Sequence, residues 1–274
     1  MKYTQRLILA YPVLPYLARI HKRVPMSLSQ QFRKITSALA AEASAYLDKH
    51  NGNLNAAVDA YYASVPSEAL KELWERYHDA NDQESILIDG TLQYLADLGL
   101  APEDLRCLTL AFLLRSPQTG EFSRDDFFSV WGANGIDSLK GMRSYIDKQH
   151  YELRANRNRF EQFYRYVFDF VRGRGAGKTL PAPDAAAYWH LLFIDSMASN
   201  EHQDEVLVKR VEQWCEFVEN AARPVTRDTW NMWLRFYYEV MEPAPKTLAA
   251  YNEMDAWPSL VDEYVDWLRE SAQL

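Results

Sequence analysis

TRDTWNMWLRFYYEVMEP at 226–243, followed by YNEMDAWPSLVDEYVDWLRE at 251–270, decides the fold class. Thr226 is placed to cap a helix, with Asp228 in its first turn, where a negative charge suits the positive end of the helix dipole. Trp230, Trp233, Leu234 and Tyr237 then recur at helical spacing. The second string starts a helix at Pro258, whose missing N–H costs nothing at a first helical position. Leu260, Val261, Tyr264, Val265 and Leu268 form one apolar face, while Asp262, Asp266 and Glu270 fall four apart and line another as an acidic stripe. Ala256, just before Trp257, is small enough to leave room for something to approach. On spacing alone the acidic stripe is accounted for as the solvated face of a surface helix.

Outward from this stretch the chain reads as helix after helix. Phe32 and Ile35 mark a first helix, Ala43, Tyr46 and Leu47 a second, and Asn53 can cap a third carrying Leu54, Val58, Tyr61 and Tyr62. Val65, Pro66 and Ser67 break the pattern as a short linker. Leu70, Leu73, Trp74 and Tyr77, then Leu92, Leu95 and Leu98, lie at helical spacing. Leu105 to Leu114 is apolar nearly all round, which predicts a central buried helix. Ser123 can cap a helix with Phe127, Phe128 and Trp131. Phe160, Phe163, Tyr164, Val167 and Val171 give an amphipathic pattern, as do Leu207, Val211, Trp214 and Val218. No long window alternates with a period of two, so the expected class is all-α: a small three-helix bundle over 27–64 and a larger helical domain over 67–272.

Composition bounds the function. The chain has 274 residues, 48% of them hydrophobic, and a net charge of -8, which disfavours nucleic acid as the main partner and favours a basic protein surface. Cys107 and Cys215 each sit in an apolar helical pattern, with no disulfide frame, zinc spacing or nearby His; this fits a reducing compartment and argues against a carrier-type catalytic thiol. No run of about 18 apolar residues occurs, so no membrane span is expected. Residues 1–41 contain no acid but include Lys2, Arg6, Arg19, Lys22, Arg23, Arg33 and Lys34, and Pro12 and Pro15 interrupt the apolar stretch 7–20. No small-residue cleavage site follows, and residues 1–26 read as a poorly ordered extension or a short surface helix.

Three motifs fail on inspection. GRGAGKT at 173–179 resembles a phosphate-binding loop, yet counting back from Gly177 puts Arg172 where the first glycine must stand, and the loop follows a helix instead of a strand. DANDQESILIDG at 79–90 resembles a calcium loop with Asp79, Asn81 and Gln83 as ligands, but Glu84 occupies the glycine position and Gly90 the position of the bidentate Glu. RSPQTGEFSRDD at 115–126 has Arg115 and Pro117 where ligands belong. Helix-loop-helix pairs without metal are the expectation. The six His residues show no ligand spacing and no G-x-S-x-G elbow is present, so no active site or cofactor is expected.

RDTWN at 227–231 and DAWPSLVDEYVDWL at 255–268 resemble the defective-in-cullin-neddylation family, whose main domain is called PONY (potentiating neddylation). Further strings carry the likeness: YLDKHNGNLNAAVDAYY at 46–62, ILIDGTLQYLADLGL at 86–100, GEFSRDDF at 120–127, FYRYVFDF at 163–170 and AAYWHLL at 186–192. The resemblance implies a ubiquitin-associated (UBA) type domain over 27–64 and EF-hand-like pairs that bind no calcium. It implies a scaffold-type ligase that carries no modifier itself. Asp228, Ala256 and Asp262 match a patch that grips the basic surface of a cullin C-terminal domain. Ile88, Thr91, Cys107, Leu108, Leu110, Leu114, Thr119, Phe170, Tyr188 and Leu191 match an apolar pocket for the acetylated N-terminal Met of the neddylation conjugating enzyme. Thr91 and Leu114 depart from the usual Ile and Phe. From periodicity alone these pocket residues are core.

A UBA-type bundle also implies contact with ubiquitin through 27–64, although the loop TSALAAE at 36–42 lacks the Met/Leu-Gly-Phe/Tyr motif. A ubiquitin-binding adaptor is the competing reading, and an EF-hand-like regulator a third, which the missing ligands oppose. The implied residence is cytoplasmic, nuclear or both.

Overall fold

A computed structural model of the chain describes residues 26–175, 177–195 and 204–273. The expected extension over 1–25, His21, His202, Ala176 of the phosphate-loop look-alike and the side chain of Tyr62 lie outside the described residues. The chain divides into two compact units between Tyr62 and Ala63.

The first unit holds α1 (Leu28–Thr36), α2 (Ala40–Lys49) and α3, which starts at Leu54 and runs to Ser64. Ser27 and Gln30 cap α1 reciprocally: each side-chain oxygen accepts the other's backbone N–H, at 3.2 and 2.9 Å. Asn53 accepts the N–H of Ala56 at 3.1 Å and so starts α3. Phe32, Ala38, Ala43, Leu47 and Ala57 form the core. The Tyr61 ring meets Phe32 and Tyr46 edge-on at 5.5 and 5.4 Å. Ile35, expected inward, is exposed, because Phe32 and Thr36 take the buried stripe of so short a helix.

The second unit is built from helix pairs joined by two-residue strands. In the first set, α4 (Glu68–Tyr77), β1 (Ser85–Ile86), α5 (Ile88–Asp97), α6 (Leu105–Leu113), β2 (Phe122–Ser123) and α7 (Arg124–Ala133) follow in order. β1 and β2 pair antiparallel, Ser85 opposite Ser123 and Ile86 opposite Phe122. The long α8 (Leu139–Ala155) leads to a second set: α9 (Arg157–Arg172), β3 (Thr179–Leu180), α10 (Ala182–His190), α11 (Glu205–Ala221), β4 (Val225–Thr226) and α12 (Arg227–Phe236). Here Thr179 faces Thr226 and Leu180 faces Val225. The end of GRGAGKT therefore enters β3, so the strand follows the motif where a phosphate-binding loop needs one before it. The last helix, α13, spans Ser259–Glu270, and Pro258 is its N-cap, one position earlier than the sequence suggests.

The 79–90 loop uses its carboxylates on its own backbone. Asp79 Oδ1 accepts the N–H groups of Asn81 and Asp82, and Asp82 Oδ1 accepts that of Glu84. Gly90 has a packing reason: a Cβ there would lie 1.9 Å from the carbonyl oxygen of Tyr77, so the close crossing of α4 and α5 excludes any side chain. Among the described residues, no three His, Cys, Asp or Glu side chains gather where a metal could sit, and no helix is long and apolar enough to cross a membrane.

Aromatic side chains fill the centre of this unit. Trp230 stacks between Tyr164 at 4.6 Å and Trp189 at 4.9 Å. Its indole N–H donates to the Tyr164 carbonyl at 3.0 Å, and the Tyr164 hydroxyl donates back to the Trp230 carbonyl at 2.8 Å. Trp189 donates to the Tyr164 hydroxyl at 2.7 Å. This reciprocal bonding fixes α12 against α9 and α10, and so fixes what α12 shows to solvent.

Candidate functional site

Two surfaces of the second unit carry the residues singled out in the sequence. The first is a pocket of about 150 Å³ between α5, α6, the 116–122 loop and the ends of α9 and α10. Ile88, Thr91, Cys107, Leu108, Thr119, Phe170, Tyr188 and Leu191 all line it. Leu110 and Leu114 do not: both are fully buried in the core. The reason is helical geometry. Cys107, Leu108 and Ala111 share one face of α6 and Leu110 lies on another, while Leu114, just past the helix as its C-cap, is turned into the core. Periodicity marked all of them as apolar and could not choose the face.

The pocket also uses Leu92, Leu95, Ser116 and Gly120, which the sequence reading left out. Gly120 was legible as a turn residue, with φ of +74°. A Cβ at Gly120 would press on Ile88 at 2.7 Å, so this glycine keeps the pocket wall open. Ile88 and Leu92 are about half exposed and form the mouth. The Cys107 thiol donates to the Ala101 carbonyl at 3.1 Å, and burial, with Asp104 next, pushes its pKa up to about 12. It stays protonated at neutral pH. Burial likewise raises the Tyr188 hydroxyl. Thr91 is buried, and its hydroxyl has no partner among the described residues. At the rim, the Arg106 guanidinium holds the Asp104 carboxyl below the usual range.

The second surface lies on α12 and the connection to α13. Thr226 caps α12 by accepting the N–H of Thr229 at 3.1 Å. Arg227 turns away, bonding Asp169 at 2.7 Å and lying over Phe168 at 4.9 Å. Asp228 is exposed, and no ion-pair partner engages it among the described residues. Arg235 stands two turns further along the same face, about 10 Å away along the axis. Its guanidinium lies 5.2 Å over the ring of Trp257, which is buried edge-on against Phe236 at 5.6 Å. Ala256, beside Trp257, is exposed. Asp262, in the first turn of α13, accepts the Tyr251 hydroxyl at 2.7 Å; burial first, then that bond, raises the hydroxyl's pKa. Asp228 and Arg235 thus share one face of α12, Arg235 reaches the Trp257 ring beside Ala256, and Asp262 stands in the first turn of α13, bonded to Tyr251.

Arg210 of α11 holds this connection in place. It donates to the carbonyls of Pro245 at 2.6 Å, Lys246 at 3.1 Å and Gln273 at 2.6 Å, and to Gln213 Oε1 at 2.9 Å. The sequence did offer a signal. Arg210 falls between Leu207, Val211 and Trp214 on an otherwise apolar stripe, where a charge needs partners.

Residues 141–267 match the family described as cullin binding, and residues 26–68 match a UBA-like domain. Among curated proteins, the chain is similar to defective in cullin neddylation protein 1 of Eremothecium gossypii, 32% identical over 90% of this chain and 97% of that protein. The protein of the same name from Candida albicans is 29% identical over 89% and 97%. DCN1-like protein 3 of Rattus norvegicus is 32% identical over 73% of this chain and 62% of its own length.

Proposed function

This chain belongs to the defective in cullin neddylation family, and on that premise we propose that it promotes cullin neddylation as a scaffold with two docking surfaces. Asp228, Ala256 and Asp262 meet a basic patch on a cullin C-terminal domain. The pocket lined by Ile88, Cys107, Leu108 and Tyr188 takes the acetylated N-terminal Met of the conjugating enzyme. The single observation that carries this reading is that eight residues chosen from the resemblance, spread from Ile88 to Leu191, line one apolar cavity.

The physical logic is tethering. Holding carrier and acceptor together raises their effective concentration and narrows their approach, with no chemistry from the tether. A Met-sized side chain in the pocket contributes about 2 kcal/mol. Exposed carboxylates add steering more than affinity. Each contact is weak alone, and selectivity arises from using both. The transfer chemistry stays with the conjugating enzyme, since both thiols of this chain are pushed up to about 12 by burial.

The test is titration of a cullin C-terminal domain against the wild-type chain and the Asp228→Ala/Ala256→Arg/Asp262→Ala variant, beside a neddylation time course. Wild type should bind and accelerate transfer while the folded variant does neither. Equal binding by both would sink the assignment of this face. A ubiquitin contact on the first unit is the second reading, favoured by exposed Met26, Leu28 and Leu39 on that unit. It requires that deleting 27–64 abolish function while Asp262→Ala leaves it intact.

A further inference from the structure

A second cleft, of about 160 Å³, lies where the end of α8, the start of α9 and two π-helical turns meet. Those turns span Leu191–Asp195 and Tyr237–Met241. In the second, the N–H of Glu242 donates to the Tyr237 carbonyl at 2.8 Å, five residues back. A π turn carries one residue more than an α turn, and such wide turns concentrate at functional sites. The rings of Tyr237 and Tyr238 on this turn meet edge-on, 5.4 Å apart, and both line the cleft.

The polar groups of this cleft are unevenly satisfied. Arg157 is accounted for: it bonds Glu242 at 2.5 Å and lies over the Tyr238 ring at 4.5 Å. Arg154 has no carboxylate or carbonyl partner among the described residues, and its side chain is exposed. Tyr237 is only 2% exposed, and its hydroxyl, which has no protein partner among the described residues, is the part of the side chain that still reaches solvent. The Tyr238 hydroxyl has none either. Water or a ligand entering the cleft can complete these hydroxyls. Arg154 can only donate, and both phenols can donate. With Arg157 and Glu242 cancelling, the cleft keeps one positive charge in a chain of net charge -8. Phe160 and Phe193, edge-on at 5.6 Å, supply an apolar floor.

We propose that this cleft binds a small organic oxyanion, a carboxylate or phosphate on an apolar stem, anchored by Arg154 and completed by the Tyr237 hydroxyl. The head group pairs with the guanidinium, the strongest kind of hydrogen bond available here. The stem packs on Phe160 and Phe193. No residue of the apolar pocket or of the proposed cullin face takes part, so this assignment stands apart from the scaffold reading.

Phenyl phosphate and phenylacetate test it, with inorganic phosphate as the stemless control. The full chain is titrated with each, following the ring resonances of Phe193 and Tyr237 and the guanidinium signal of Arg154 by NMR. At least one stemmed probe should saturate, more tightly than inorganic phosphate and more weakly as salt rises. The probe that wins identifies the head group. Arg154→Gln should weaken binding about tenfold and Tyr237→Phe about threefold. Lys148→Gln, which removes the same charge from outside the cleft, should leave binding unchanged. Arg154 is exposed and unpartnered, so its variant decides the matter even if Tyr237→Phe folds poorly. The proposal is overturned if neither stemmed probe moves these resonances, if inorganic phosphate binds as tightly as they do, or if Arg154→Gln binds like wild type.

Discussion

At Arg210 one guanidinium holds three backbone segments that are otherwise far apart in the chain: the 245–246 turn, Gln273 and its own helix. Arg210→Met keeps the stem and removes every donor, leaving those carbonyls to find water in a mostly buried site. We expect a loss of about 3 kcal/mol in urea unfolding, and weaker cullin binding because the connection bearing Ala256 loses its anchor. Arg210→Lys should recover only part of both, since an ammonium cannot span the same fork of acceptors. Unchanged stability in Arg210→Met would show that the network is incidental. At this scale the sequence was least informative. Nothing in the spacing separates the unpartnered Asp228 from the paired Asp169, because pairing depends on what a distant helix brings alongside. Leu110 and Cys107 look alike in a run of apolar residues, and only the packing of α6 divides cavity wall from core. Arg210 was the exception, betrayed by a charge on an apolar stripe.

Helices were legible because a period of 3.6 persists over two or three turns, and caps at Ser123, Asn53 and Thr226 fixed their starts. Two-residue strands leave no such trace, since alternation needs four or more residues to register. The pairing of β3 with β4 was hidden behind a look-alike phosphate loop for the same reason. The π-helical turns were likewise silent, because one extra residue does not disturb an apolar pattern already changing direction. Gly90 shows what a failed motif can hide: the residue that breaks the calcium pattern is the one that lets α4 and α5 touch. Gly90→Ala should cost about 1–3 kcal/mol in thermal or urea unfolding, as an overpacked contact that backbone must relieve. Gly177→Ala, with nothing within 4 Å of the new Cβ, should be nearly neutral. Equal effects at the two positions would remove the steric account.

For the molecule as a whole, the two proposed docking surfaces differ in physical character, and that difference can be measured. The ridge is charged, with Asp228 exposed and Asp262 half-buried, while the pocket is apolar. Raising salt from about 0.1 to 0.5 M should weaken cullin binding in the wild type and much less in Asp228→Ala/Asp262→Ala, because screening acts on exposed charges. Binding of an acetyl-Met tail peptide should hardly respond. Parallel salt slopes for wild type and variant would rule out a charge-steered ridge. The fold class, the resemblance and half of the residues lining the pocket could be read before any coordinates. The stage on which they stand could not, because reciprocal Trp230–Tyr164 bonding and the Arg210 anchor join segments tens of residues apart. Trp257 adds something practical. This indole is buried, yet it sits under Arg235 beside Ala256, at the edge of the ridge. A partner that draws Arg235 away would alter the quenching of the Trp257 ring. The intrinsic fluorescence of the unlabelled chain is therefore a built-in optical gauge of occupancy at that face.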